Sequence, residues 1–187
     1  MRRSPGNRPA VFLDRDGILI EDRGWLRDPR DVVFYPQTIP ALRLLADEFA
    51  LFIVTNQRGV ADGLLRLEEV QRVNAHVVDT LTAAGIPIVD VYCCPHRRDE
   101  NCPCIKPNPY FLRKAEREHN IDLARSFVIG DHPHDIVLAV NAGARGIYVL
   151  TGHGAKHRAE LTISCPVVPG IAEAADHIRQ HSKGVFA

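Results

Sequence analysis

Short apolar runs alternate with segments of helical period along most of this chain, and that alternation restricts the fold more than any other feature. The runs are residues 10–13, 51–54, 88–93, 127–129 and 146–150. Each is short and bounded by turn-forming or polar residues, so each reads as a buried strand. Thr38 is expected to cap a first helix through Ala41, Leu42, Leu44 and Leu45, with Pro40 in its first turn. A longer helix begins near Leu67 and carries Val70, Val73, Val77 and Leu81 until Gly85 stops it. A third runs from about Pro109 to His119. A fourth starts near His134 and carries Ile136, Val137, Ala139 and Val140 up to Gly143. Strands alternating with helices imply an α/β fold with a doubly wound parallel sheet. Residues 18–35 break the rhythm: they are largely polar, carry Gly24 and Pro29, and are too many for an ordinary strand-to-helix turn. Two extended pieces, at 18–21 and 32–34, suit a small hairpin flap above the rim of the sheet.

No repeat, low-complexity tract or linker divides the sequence, so residues 1–187 read as one domain. That length buries about 70% of the unfolded surface. Lys plus Arg equals Asp plus Glu at 23 each, a formal net charge of zero. A partner held by a general basic field, such as duplex nucleic acid or an anionic membrane, is therefore not expected. No apolar run approaches the roughly 20 residues of a membrane span, and no long apolar core follows the basic start of the chain. A cytoplasmic protein is the expectation. Four of five cysteines crowd into residues 93–104, and in that compartment clustering points to metal rather than disulfides.

The first strand runs into Asp14-Arg15-Asp16-Gly17. Both carboxylates then stand at the carboxyl end of a strand, where open α/β sheets place ligands. Crowded carboxylates repel unless a hard cation such as Mg²⁺ lies between them. A carboxylate can also attack phosphorus while a neighbour moves protons. On residues alone, a solvated turn explains such a pair equally well. The second strand ends in Thr55-Asn56-Gln57, whose hydroxyl and backbone N–H groups can cradle phosphate or simply start a turn. Lys106 precedes Pro107 and a helix; its ammonium can neutralise a phosphate or sit in solvent. The fourth strand delivers Asp131, with Asp135 four residues on. Asp131 can complete a magnesium shell begun by Asp14 and Asp16. Asp135 can hold Lys106, or favour the start of the following helix by its charge. Cys94, His96, Cys102 and Cys104 offer three thiolates and one imidazole, a closed tetrahedral set fit for structural Zn²⁺ in a loop spanning about 94–104. Cys93 and Cys165 read as packed thiols.

Taken in order, Asp14-x-Asp16, Thr55, Lys106-Pro107 and Gly130-Asp131-x₃-Asp135 strongly resemble the four motifs of the haloacid dehalogenase-like (HAD) superfamily, across roughly residues 10–150. The resemblance implies a Rossmann-like sheet, Asp14 as nucleophile and Asp16 as general acid/base. It implies that Thr55 and Lys106 stabilise the transferring phosphoryl group. Asp14, the Asp16 backbone carbonyl and Asp131 would bind Mg²⁺. Gly24-Trp25, Thr55-Asn56-Gln57-x-Gly59, the zinc loop and Lys106-Pro107 further resemble the capless zinc-loop branch, typified by heptose-bisphosphate and histidinol-phosphate phosphatases. A capless enzyme recognises substrate at its rim. Here that rim would be Asp22, Arg23, Gly24 and Trp25 of the flap, Asn56, Gln57 and Arg58 after the second strand, and positions 105 and 132.

Three positions depart from the branch's pattern. Ile18 stands where many members have threonine, Ile105 where heptose enzymes have arginine, and His132 where they have lysine. The two lost cations weaken the case for a second phosphate on the substrate, unless His132 protonates as pH falls or Arg58, Arg97 or Arg98 substitutes. The expected activity is magnesium-dependent phosphomonoester hydrolysis of a small phosphorylated metabolite by a monomer or small homo-oligomer. A heptose bisphosphate leads, with histidinol phosphate or another small ester as alternative. A zinc-stabilised protein that binds phosphometabolites without turnover is the non-enzymatic alternative.

Overall fold

The computed structural model describes residues 7–182. Six strands form one sheet: β1 (Ala10–Leu13), β2 (Ala50–Asn56), β3 (Ile88–Cys94), β4 (Phe127–Gly130), β5 (Arg145–Val149) and β6 (Val167–Val168). Their order is β3-β2-β1-β4-β5-β6, and every pair is parallel. This is the Rossmann-like doubly wound arrangement. The winding reverses between β1 and β4, so a crevice opens at the carboxyl ends of those two strands.

Alternate residues of each strand face opposite sides, and both sides are apolar. Val11, Leu13, Leu51, Ile53, Phe127, Ile129, Ile147 and Val149 pack against α1 (Thr38–Ala46), α2 (Leu67–Ala83) and α6 (Ile171–Ser182). Ala10, Phe12, Phe52, Val54 and Val128 pack against α3 (Tyr110–His119) and α4 (Pro133–Ala142). On this second side Phe12 lies opposite Phe52 in register. An aromatic row continues from Phe12 through Phe52 and Tyr92 to Phe111, with centroids 5.1, 5.9 and 5.1 Å apart. Full burial of a side chain such as Phe12 or Phe52 contributes roughly 1.5–3 kcal/mol over exposure.

The structure departs from the sequence expectations at several places. Thr38 is the first residue of α1 rather than its cap; its buried hydroxyl donates to the Leu19 carbonyl at 2.8 Å and ties the helix to the preceding segment. The flap is reduced to an Ile20–Phe34 bridge. Its stem is no appendage above the rim, because Ile18, Leu19 and Ile20 are buried in the core beneath α1. The tip, by contrast, is a tight turn in which Gly24 N–H donates to Asp22 Oδ1. Beyond residue 150 the chain adds the four-residue helix α5 (Gly154–His157), β6 and α6. Helix α6 covers the sheet beside α1 through Ile171, Ala174, Ala175 and Ile178. No large cap interrupts the described residues, and no helix among them is long and apolar enough to cross a membrane.

Candidate active site

The carboxyl ends of β1, β2 and β4 meet the loop after β3 in one cavity of about 880 Å³. Asp14 follows β1 directly, and its N–H donates to the Ile129 carbonyl of β4, which fixes the strand tip. Lys106 Nζ lies 3.1 Å from Asp14 Oδ1 and 2.8 Å from Asp135 Oδ1. The Arg15 N–H also donates to Asp14 Oδ1, so both contacts fall on one oxygen and neither on Oδ2. Lys106 is buried. Burial alone would lower its pKa, but Asp135 and Asp14 outweigh that and hold it charged. The Lys106–Pro107 peptide is cis, and the Lys106 N–H donates to Asn56 Oδ1, which anchors the lysine loop to the tip of β2.

Asp131 closes the other side. Its Oδ2 accepts the His153 N–H at 2.7 Å. Gly17 and Gly152 lie so close that a Cβ on either would overlap the Asp131 carboxylate, and both have left-handed φ values of +80° and +55°. Only glycine fits either position. Thr151 Oγ1 donates to the Gly17 carbonyl and joins the two loops. Oxygens of Asp14, Asp131 and Asp135 lie within 4.8 Å of one another. Burial pushes the Asp14 pKa up to about 6, against the pull of Lys106. Burial, reinforced by Asp14 and Asp135, pushes Asp131 up to about 8. Three carboxylates around one ammonium are short of positive charge, and a hard divalent cation supplies it through oxygen ligands. The donor set fits Mg²⁺.

Asp16 is held differently. Arg15, fully buried, grips both Asp16 oxygens through Nε and Nη2 and anchors its Nη1 on Asn74 Oδ1 of α2 at 2.7 Å. Gln57 donates from Nε2 to Asp16 Oδ2 and to Thr55 Oγ1. Gln57, expected among the substrate contacts, lines the cavity and is also a buried link between the second carboxylate and Thr55. Burial raises the Asp16 pKa, and Arg15 opposes the rise.

The rim residues divide. Asp22, Gly24, Trp25, Asn56, Arg58, Ile105 and His132 line the cavity. Arg23 does not: it turns away to pair with Glu21 at 3.0 Å. Trp25 sits against Gly59, where a Cβ would overlap its ring, and Arg58 lies 6.0 Å above that ring. Asp22 Oδ2 meets His153 Nε2 at 2.9 Å. His132 stacks on His134, and its Nδ1 accepts the His134 N–H at the start of α4. Burial, with His157 beside it, lowers its pKa to about 4. The expectation that His132 becomes a cation near pH 6 is therefore corrected.

Cys94, His96, Cys102 and Cys104 converge behind Lys106. The Cys94–Cys102 and Cys102–Cys104 sulfurs are 3.9 and 2.9 Å apart, and His96 Nδ1 lies 3.7, 3.0 and 3.6 Å from the three sulfurs in sequence order. Ligands around a tetrahedral zinc stand ~3.4–3.8 Å apart; the five separations scatter to either side of that range, and it is the convergence of three thiols and one imidazole on one point that fits the ion. Asn108 donates to the Cys102 carbonyl, binding the lysine loop to the cluster.

A parallel sheet that gathers paired aspartates, a threonine and a buried lysine at its switch point is the architecture of an HAD-type phosphatase. The "HAD-hyrolase-like" family matches residues 103–174. A D-glycero-beta-D-manno-heptose-1,7-bisphosphate 7-phosphatase of Yersinia pestis is 37% identical over 154 residues, covering 77% of this chain and 81% of that protein. A D-glycero-alpha-D-manno-heptose-1,7-bisphosphate 7-phosphatase of Photorhabdus laumondii is 30% identical and covers 82% and 89%. The crystal structure of the D,D-heptose 1,7-bisphosphate phosphatase of B. bronchiseptica, complexed with magnesium and phosphate, superposes with a TM-score of 0.84 at 28% identity, covering 92% of this chain and 99% of that one. The chain belongs to the HAD superfamily, within the family of these heptose-bisphosphate phosphatases, and is a phosphoric monoester hydrolase.

Sequence reasoning passed over Arg15, Asn74, Thr151, Gly152 and His153. The only outward sign of the last three was a glycine-containing turn directly after an apolar strand.

Proposed function

We propose that this enzyme removes a terminal phosphate from a phosphorylated heptose, D-glycero-D-manno-heptose 1,7-bisphosphate, through an aspartyl phosphate on Asp14. The observation that carries this reading is the Lys106 ammonium shared between Asp14 and Asp135 at a strand tip, in a chain 37% identical to an enzyme named for that substrate. An Asp14 oxygen attacks phosphorus, and the bond from phosphorus to the sugar oxygen breaks. Asp16 gives its proton to that leaving oxygen. Asp16 then takes a proton from water as the water attacks the phosphoenzyme, releasing phosphate and restoring the Asp14 carboxylate. Thr55 and Lys106 hold the equatorial oxygens.

Asp14, the Asp16 backbone carbonyl and Asp131 would hold Mg²⁺, which when bound neutralises charge developing on the phosphoryl group. Cys94, His96, Cys102 and Cys104 would hold a structural Zn²⁺ that fixes the Lys106 loop. The chain acts as a single cytoplasmic domain; a cysteine cluster arranged for metal, with no disulfide among the five cysteines, supports that compartment.

A generic aryl phosphate assayed with and without Mg²⁺ separates turnover from binding alone. A panel of phosphate esters ranked by kcat/KM then tests the heptose assignment. Histidinol phosphate or another monophosphate ranking first would overturn it.

A further inference from the structure

The cavity wall beside Asp131 carries His132, His134, His153 and His157 in one contiguous group. His132 stacks on His134 with centroids 4.5 Å apart and 11° between planes. His157 tilts against His132 at 4.8 Å, and His153 meets His157 edge-on at 5.8 Å. Three turns of sequence supply the group: the start of α4, the turn after β5, and α5. Glu160 joins from the turn that follows α5, with its Oε1 2.6 Å from His157 Nδ1. One donor atom each from His132, His157 and Glu160 lies within 4.8 Å of the other two.

We propose that His132, His157 and Glu160 form a third metal site, for a zinc-class divalent transition-metal ion, on the wall of the substrate cavity.

The chemistry of the donors selects the ion. Imidazole nitrogen with a single carboxylate suits Zn²⁺, Co²⁺ or Ni²⁺, whereas Mg²⁺ prefers the all-oxygen set at Asp14 and Asp131. Local structure accounts for the residues separately but not for their meeting. Capping of α4 explains the orientation of His132, and the spacing of three explains the His157–Glu160 pair. Neither explains why that pair converges on His132 from a segment after a different strand. The site also differs in kind from the cysteine cluster. Three protein ligands leave a coordination position for an exogenous oxygen, and two of the three, His132 and His157, line the cavity. Arg98, whose Nη2 lies 3.0 Å from His134 Nδ1, and the nearby Lys156 repel an incoming cation, so binding weaker than at the thiolate cluster is expected.

The full chain, purified with its tightly held metal, is titrated with Co²⁺ in excess Mg²⁺, and bound cobalt is read by equilibrium dialysis and visible absorption. The expected result is an additional equivalent whose spectrum lacks sulfur-to-cobalt charge transfer. Glu160→Gln, at an exposed position, and His157→Ala should each weaken that equivalent about tenfold or more while thermal stability without added metal is unchanged. Cys102→Ser should leave it in place. Absence of the additional equivalent, or its equal retention in Glu160→Gln, would overturn the proposal. No substrate enters the measurement, so its outcome is independent of the heptose reading.

Discussion

Asp14 and Asp16 stand two residues apart, yet the chain treats them as different chemical objects. Asp14 Oδ1 faces an ammonium and a backbone N–H; Asp16 is clamped by Arg15 and Gln57. Asp14→Asn should abolish turnover and leave the fold intact, read by steady-state kinetics beside thermal unfolding. Asp16→Asn should cost about 10²–10⁴ in rate, with alkyl esters suffering more than aryl esters that have good leaving groups. Equal losses for both ester types would remove the general-acid role. Arg15 was illegible because an arginine between two aspartates reads as solvated charge, and only the fold reveals Asn74 as its buried anchor. Linkage supplies a second test. Asp14 and Asp131 titrate near 6 and 8 when folded, above the ordinary 3.8. Between about pH 4 and 8 the folded protein thus holds protons the unfolded chain has released. Without Mg²⁺, the stability from these groups is full below about pH 4 and lost as pH rises through 6 and then 8. Mg²⁺ binds the ionised carboxylates, so the melting-temperature gain from adding it should grow from pH 5.5 to pH 8. A gain that shrinks over that range would contradict the assignment.

At the scale of elements, the loop from Cys94 to Lys106 has little core of its own beyond Cys94, Cys102 and Ile105. A metal there contributes folding free energy directly. About one tightly held zinc should accompany each chain, and Cys102→Ser should lower the melting temperature by on the order of 10 °C and impair catalysis as Lys106 loses its tether. Protein purified without chelators that contains no zinc would refute this. Gly152→Ala tests the opposite loop: its Cβ would displace the Asp131 carboxylate, so the Mg²⁺ concentration needed for half-maximal activity should rise. The strands β1 to β5 were legible because each is an apolar run interrupted by a polar tip. The tips carry Asp14, Thr55 and Asp131 for the same reason. Helix α6 was legible in principle, its Ile171, Ala174, Ala175 and Ile178 spaced i, i+3, i+4 and i+7. Two-residue β6 was not, since two valines carry no period. Nor was the His153 N–H that serves Asp131, because a backbone donor leaves no mark on residue type.

On the scale of the whole molecule, a net charge of zero means any attraction for a doubly charged substrate must be local to the cavity. Ile105, buried and packed on Cys94 and Cys102, offers no charge. His132, with its pKa near 4, is neutral across the working range, so the preference for a bisphosphate should not strengthen as pH falls from 8 to 6. Among the lining cations, Arg58 is drawn to Asp62 at 3.3 Å and Arg97 to Asp99 at 3.0 Å. Arg98 touches His134 instead, and no carboxylate among the described residues neutralises it. A charge-assisted contact from Arg98 to a second phosphate is worth roughly 1.5–3 kcal/mol, or about 10- to 150-fold in kcat/KM. Arg98→Ala should therefore lower kcat/KM for a sugar bisphosphate by at least about tenfold and change that for a monophosphate of the same sugar less than about threefold. Zinc content measured in the same preparations guards against damage to the loop. Equal losses on both substrates with zinc retained would assign Arg98 to the reacting phosphate. No loss on either would hand the distal phosphate to Lys156 or Arg58.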